Sequence, residues 1–166
     1  NPGDRVLIHA AAGGVGHIAV QLARAAGATV WGTCSARNAG FVADLGAEPV
    51  AHDEVRFEEV LQNLDLVLDT LGGEIHARSC TALKPGGRLV ALNAAPFENV
   101  AEAHGLRYAL TTVRPEAAPL ADMLARLADG RLKLTLETLP FTAYAEAQSR
   151  IATGRTRGKL VLTLGE

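Results

Sequence analysis

The sequence predicts an α/β domain in which a parallel sheet of about six strands is covered by helices on both faces. Three observations point there. Short aliphatic and β-branched runs alternate along the chain with stretches of helical periodicity. Most of those runs are continuously apolar rather than alternating, as parallel strands buried on both sides require. Glycines fall where the helical stretches stop, at Gly27, Gly46, Gly86-Gly87 and Gly130.

The strand candidates are residues 5–10, 29–35, 49–52, 65–70, 88–93 and 108–113. Behind the first, Val15, Ile18, Ala19, Leu22, Ala23 and Ala26 share one helical face, and Gly27 closes the helix. A second helix is expected over 38–45, ending at Gly46, and a third over 75–83, stopped by Lys84-Pro85-Gly86-Gly87. Leu120, Met123, Leu124 and Leu127 place a fourth over 115–129. After Gly130 the rhythm changes. Residues 132–141 read as strand, 142–152 as a short helix capped by Thr142, and 159–164 as a last strand. The expected division is therefore a core domain, residues 1–131, and a C-terminal segment, residues 132–166. The chain opens on the turn Asn1-Pro2-Gly3-Asp4 with no initiator Met, so a piece of a longer protein is expected.

Composition removes several function classes. With 166 residues, 48% hydrophobic and 20% charged, the chain has the material for one good core. The net charge of -2 is spread along the sequence and aromatics are 4%, which argues against a nucleic-acid surface. No apolar run approaches the roughly 20 residues that span a bilayer. Cys34 and Cys80 supply neither a disulfide framework nor a metal cluster, so a reducing, cytoplasmic setting is expected.

The chemistry is concentrated behind the first strand, in Ala10-Ala11-Ala12-Gly13-Gly14-Val15-Gly16. Against the pattern G-x-G-x-x-G, Ala11 replaces the first glycine while Gly13 and Gly16 keep their places. Gly13 lets the backbone approach a pyrophosphate, and Gly16 lets the following helix sit close on the sheet. The amides of Gly14, Val15 and Gly16 stand at a helix N-terminus, where the dipole favours an anion. Between a strand and an amphipathic helix, this is the context of a Rossmann-type dinucleotide site.

NAD-binding versions place an acid at the end of the second strand to hold the ribose 2′-hydroxyl. Here that region reads Gly32-Thr33-Cys34-Ser35-Ala36-Arg37-Asn38, and the next acid is Asp44. Ser35 offers a hydrogen bond and Arg37 a guanidinium fork, which suit a 2′-phosphate. NADPH is therefore expected over NADH.

Further residues carry a family likeness. The stretch Val6 to Gly16 resembles the medium-chain dehydrogenase/reductase superfamily, in its quinone oxidoreductase (zeta-crystallin-like) branch. So do Gln21-Leu22-Ala23, Leu45-Gly46-Ala47, Asp69-Thr70-Leu71-Gly72-Gly73, Leu83-Lys84-Pro85-Gly86-Gly87-Arg88 and Gly154-Arg155-Thr156-Arg157-Gly158-Lys159. The likeness runs from Pro2 to about Leu164, and the turn from Ala10 to Gly16 looks like the zinc-free branch. It implies NADPH-dependent reduction of a quinone, an enone or another activated double bond. It also implies an N-terminal GroES-like lobe that holds the substrate, absent from this sequence, onto which the segment after Gly130 folds back. Carried over, Gly13, Gly14 and Val15 face the pyrophosphate, and Thr33, Ser35 and Arg37 surround the adenosine ribose and its phosphate. Leu71 and Gly72 border the cofactor after the fourth strand, and Leu92 and Asn93 its nicotinamide side. Lys159 approaches the 2′-phosphate. Relatives often dimerise through the last strand of the sheet, here 108–113, so a homodimer is expected. Where the family commonly has a Tyr after the third strand, this chain reads Val50-Ala51-His52-Asp53, and Asp53 is a poor neighbour for a phosphate. Residues 56–64 are also short for the family.

Further residues have plainer roles. His9 is expected in the core, His17 as a partly exposed helix residue, and Cys34 as a small buried one. Asp69 ends a buried strand and is expected to hold structure. No catalytic residue and no metal ligand is assigned. The loop Lys84 to Arg88 also resembles Rossmann-like methyltransferases, but the acid those proteins use after the second strand is missing. A non-catalytic NADPH sensor or structural protein is the other alternative.

Overall fold

A computed structural model describes residues 1–92, 99–112, 114 and 116–165. One parallel sheet contains β1 Arg5–Ile8, β2 Thr29–Cys34, β3 Glu48–Ala51, β4 Leu64–Asp69, β5 Leu83–Ala91 and β6 Arg107–Leu110, in the spatial order β3-β2-β1-β4-β5-β6. The helices α1 Gly16–Ala25, α2 Ala39–Asp44, α3 Phe57–Val60, α4 Glu74–Ala82 and α5 Ala117–Ala128 connect or follow these strands. The order reverses between β1 and β4, and there the carboxyl ends of the strands open a crevice. This is the doubly wound sheet that the sequence predicts. Beyond it, α6 Tyr144–Ala152 joins β7 Leu136–Pro140 to β8 Lys159–Thr163, which pair in parallel as a separate two-stranded sheet.

Side chains alternate across the strands, so each continuous apolar run feeds two cores. Val6 and Ile8 face one core with Val20, Val30, Cys34 and Val42, while Leu7 faces the other with Trp31, Phe57, Leu64, Val67 and Leu89. Fully burying one such aliphatic side chain stabilises by about 1.5–3 kcal/mol. Double-sided burial explains why alternation is missing from the strand sequences.

Local readings change where packing overrides pattern. On α1 the buried residues are Gly16, His17 and Val20, whereas Val15 is 47% exposed and Ala26 is also exposed. The helix is rotated so that Gly16 and Val20, one turn apart, meet the sheet. His17 is fully buried, which corrects the expectation of a partly exposed residue. The single turn α3 carries too few residues for a period to show, and Phe57 anchors it in the core. Lys84 to Gly87 do more than stop α4, because they form an irregular start to β5, with a register shift between Leu64 and Leu66 on β4. Thr142 is not a helix cap. A 3₁₀ turn over Phe141–Ala143 absorbs it, and α6 begins with no side-chain cap. The expected strand ends at residues 93 and 113 and the helix start at 115 lie outside the described residues. Among the described residues no helix is long and apolar enough to cross a membrane.

Candidate nucleotide site

The turn after β1 is held from below by β2. Thr33 O accepts from Ala11 N at 2.8 Å, and Thr33 Oγ1 accepts from Ala10 N at 3.1 Å. Ala10 takes a left-handed conformation (φ 49°), so the strained residue is Ala10 rather than Ala11, whose side chain is wholly buried. Gly13 N then closes the turn on Ala10 O at 2.8 Å. A β-carbon on Gly16 would run into Ala10 O and come within 2.7 Å of Ala11 Cα, so only glycine lets α1 start this close to β1. The amides of Gly14, Val15 and Gly16 make no hydrogen bond among the described residues. They stand at the start of a ten-residue helix with no acid in its first turn, and together form a seat for an anion.

Beneath this seat runs a buried polar network. His9 Nδ1 is 3.1 Å from Thr33 Oγ1 and His9 Nε2 is 2.9 Å from Ser79 Oγ. Ser79 donates its own proton to Ile75 O at 2.6 Å, so the His9 Nε2–H must donate to Ser79 and Nδ1 must accept from Thr33. Burial pushes the imidazole down to about 4, which keeps it neutral. His9 is thus the core residue expected. Thr33 is 3% exposed and its hydroxyl is spent on His9 and Ala10, so its role is to hold the turn rather than to reach a ribose.

After β4, Asp69 Oδ1 accepts from Leu71 N at 2.9 Å and Gly72 N at 2.8 Å, and Asp69 O accepts from Leu92 N at 2.9 Å. A fully buried carboxylate therefore fixes the segment that presents Leu71, which is 46% exposed, at the crevice. Oδ2 lies 3.5 Å from His76 Nδ1, and His76 Nε2 lies 3.2 Å from Asn99 Oδ1. Asn93, expected on the nicotinamide side, lies outside the described residues.

At the end of β2, Ser35 Oγ accepts from Asn38 Nδ2 at 3.2 Å, and Arg37, exposed, reaches the C-terminal segment to donate to Arg155 O at 3.0 Å. Arg157 donates to Asn38 Oδ1 at 2.9 Å. Arg37, Arg150, Arg155 and Arg157 line one cavity of about 460 Å³, together with Glu137, Asn38, Thr153 and Thr156. Arg150 is engaged by Glu137 at 2.6 Å. Asp53 is spent on capping: its Oδ1 accepts from Ala36 N at 2.8 Å, which holds its carboxyl below the ordinary carboxylate range. Its charge therefore stays on at neutral pH, in a neighbouring cavity shared with Ser35, Arg37 and Arg155, and the expected repulsion of a phosphate by Asp53 stands.

Lys159 lies away from this arginine cavity. Its side chain passes over the glycine turn, where a β-carbon on Gly14 would fall 2.7 Å from Nζ. Gly13, Gly14, Val15, Gly16, Ser35, Arg37, Leu71, Gly72 and Lys159 thus share one edge of the sheet. Sequence reasoning missed Arg155 and Arg157, although the run Arg155-Thr156-Arg157-Gly158-Lys159, with a base at every second position, was the signal for them.

A profile of zinc-binding dehydrogenases matches residues 45–162, most of the chain. The chain belongs to the zinc-binding dehydrogenase family. It is the cofactor-binding domain of a medium-chain dehydrogenase/reductase, as the sequence likeness implied. The quinone oxidoreductase of Coxiella burnetii superposes with a TM-score of 0.95 at 30% identity, over 99% of this chain and 54% of that one. The Escherichia coli quinone oxidoreductase complexed with NADPH gives 0.83 at 25%, over 98% and 57%. The spectinabilin polyketide synthase system protein NorB of Streptomyces orinoci is 37% identical over 180 residues, 98% of this chain and 8% of that protein. The chain thus spans about half the length of the solved relatives and a small part of the synthase. Among the described residues no group of three or more His, Cys, Asp or Glu is gathered to hold a metal, so these residues do not fit the zinc of the family's name.

Proposed function

We propose that the chain is the NADPH-binding part of a reductase that delivers hydride to a quinone, an enone or another activated double bond. The observation that carries this reading is the cavity at the end of β2 in which Arg37, Arg155 and Arg157 gather, more positive charge there than the acids Asp53 and Glu137 offset. The nicotinamide supplies the hydride. The chain supplies placement: free amides after β1 for the pyrophosphate, Arg37, Arg155 and Arg157 for the 2′-phosphate, and the Asp69-braced Leu71–Gly72 segment beside the ribose and ring. The substrate side of the cleft belongs to a further lobe, against which the C-terminal segment rests.

The test is to titrate the chain with NADPH, NADH and S-adenosylmethionine, following Trp31 emission. NADPH should bind tightest, and Arg37→Ala should weaken it about tenfold while leaving NADH unchanged, since one charge-assisted contact to phosphate is lost. Equal affinities for NADPH and NADH in the wild type would sink the 2′-phosphate assignment, and a response to S-adenosylmethionine alone would sink the reductase.

A second reading places this reduction inside a polyketide synthase. It is favoured by the 37% identity to NorB, higher than that to the quinone oxidoreductases named above. The activated double bond would then be an α,β-unsaturated thioester of the growing chain. Reduction of a crotonyl thioester but not of a benzoquinone by the longer protein would decide for it. We also propose a homodimer formed through β6, one of the two edge strands of the sheet, where Leu110 is 45% exposed.

A further inference from the structure

We propose that Lys159 is a pyrophosphate-binding residue, delivered to the glycine turn by a strap from the C-terminal segment, and not a ligand of the 2′-phosphate. This rests on the dinucleotide reading above and goes beyond it.

The strap is fastened at several points. Gly158 N donates to Ala12 O at 2.9 Å and Lys159 N donates to Thr135 O at 3.0 Å. Gly158 is buried with φ at 62°, and a β-carbon there would run into Thr135 O and lie 2.9 Å from Thr135 C, so only glycine passes. From α1, Gln21 takes both polar groups of Lys133: Nε2 donates to Lys133 O at 2.9 Å and Oε1 accepts from Lys133 N at 2.8 Å. His17 donates from Nδ1 to Gly13 O at 2.8 Å and accepts at Nε2 from Thr135 N at 3.3 Å. One buried imidazole therefore joins the anion seat to the strap. That is the reason for its burial, and Gln21 and His17 are positioning residues for Lys159.

The end of this strap brings the exposed ammonium of Lys159 over the N-terminus of α1, where a cation gains nothing from the helix. The N-terminus of α1 carries partial positive charge, and the amides of Gly14, Val15 and Gly16 point the same sign outward. Lys159 has no ion-pair partner among the described residues, while neighbouring Arg150 and Arg157 are engaged by Glu137 and Asn38. The helix-end amides and the ammonium thus turn the same sign of charge on one point, and an anion carrying more than one charge answers both. A pyrophosphate fits, since both its phosphoryl groups are shared by NADPH and NADH.

That sharing provides the test. NADPH and NADH are titrated by calorimetry into the full 166-residue chain and into Lys159→Met, Lys159→Arg and Arg37→Ala, with thermal midpoints as the folding control. Lys159→Met should weaken both nucleotides by the same factor, about tenfold or more, with Lys159→Arg recovering much of it. Arg37→Ala should change NADPH alone. A loss confined to NADPH in Lys159→Met would return Lys159 to the 2′-phosphate and overturn the proposal, and so would unchanged affinity for both. Wild-type chain that binds neither nucleotide overturns the dinucleotide reading itself, a different result from either.

Discussion

Gly16 shows how much one atom decides. Its backbone freedom is not at issue. What excludes any other residue is the backbone of Ala10 and Ala11, where a β-carbon would stand. Neither wall is the flexible end of a side chain, so Gly16→Ala must push α1 off β1, and an expected loss of about 2–3 kcal/mol follows from overpacking. Urea denaturation measures it, and a loss under about 0.5 kcal/mol would mean that the turn yields more easily than its contacts indicate. Gly14 is different, since the nearest atoms a β-carbon there would meet belong to the far end of the Lys159 side chain. The glycine pattern could be read from sequence because the strand before it and the helix after it are local. The burial of His17 could not, because it depends on a carbonyl four residues back and an amide at Thr135, over a hundred residues away in the chain.

At the scale of elements, α3 is one turn and survives by attachment rather than by propensity. Glu58 on α3 receives a two-pronged bond from Arg78 on α4, at 2.7 Å and 2.8 Å, and Arg78 also lies over the Phe57 ring. The guanidinium holds the Glu58 carboxyl down to about 2, from an ordinary 4.5. As pH falls, the unfolded chain takes up this proton first, so the stabilisation is whole above about 4.5 and is lost as pH drops toward 2. Glu58→Gln should therefore cost stability near neutral pH and progressively less below pH 4.5. Urea midpoints for both proteins at several pH values check this; a gap that stays constant down to pH 3 would rule the link out. The sheet itself was legible strand by strand, because double-sided burial writes apolar runs into the sequence. The one-turn helix, the irregular start of β5 and the unused Thr142 cap were not, since each answers to a neighbour rather than to a period.

For the whole molecule, exposed apolar surface is concentrated in two places. Leu110 on β6 lies at the sheet edge, with Leu120 and Leu124 exposed on α5, while Phe141, Tyr144, Ile151 and Val161 are exposed on the C-terminal unit. The proposed dimer uses the first of these regions. Leu110→Arg should convert a concentration-dependent dimer to a monomer in sedimentation equilibrium, with the far-ultraviolet circular dichroism unchanged and the concentration dependence of the urea midpoint lost. A wild-type chain that is monomeric at about 100 μM would remove the edge-strand dimer, because a standard interface of roughly 1,600 Å² holds together well below that concentration.

The sequence by itself determined the six parallel strands, the helices with clear periods, and the glycine turn between β1 and α1. Each of these is written in residues close together in the chain, where burial and backbone conformation leave a local mark. Only the tertiary structure decided that Arg155 and Arg157 complete the cavity begun by Arg37, that Asp53 is consumed in capping residue 36, and that Lys159 lies over Gly14. These meetings join the two ends of the chain. No period or propensity encodes them, because the parallel order of the sheet and the fastening of Gly158 to Ala12 set where the last segment comes to rest.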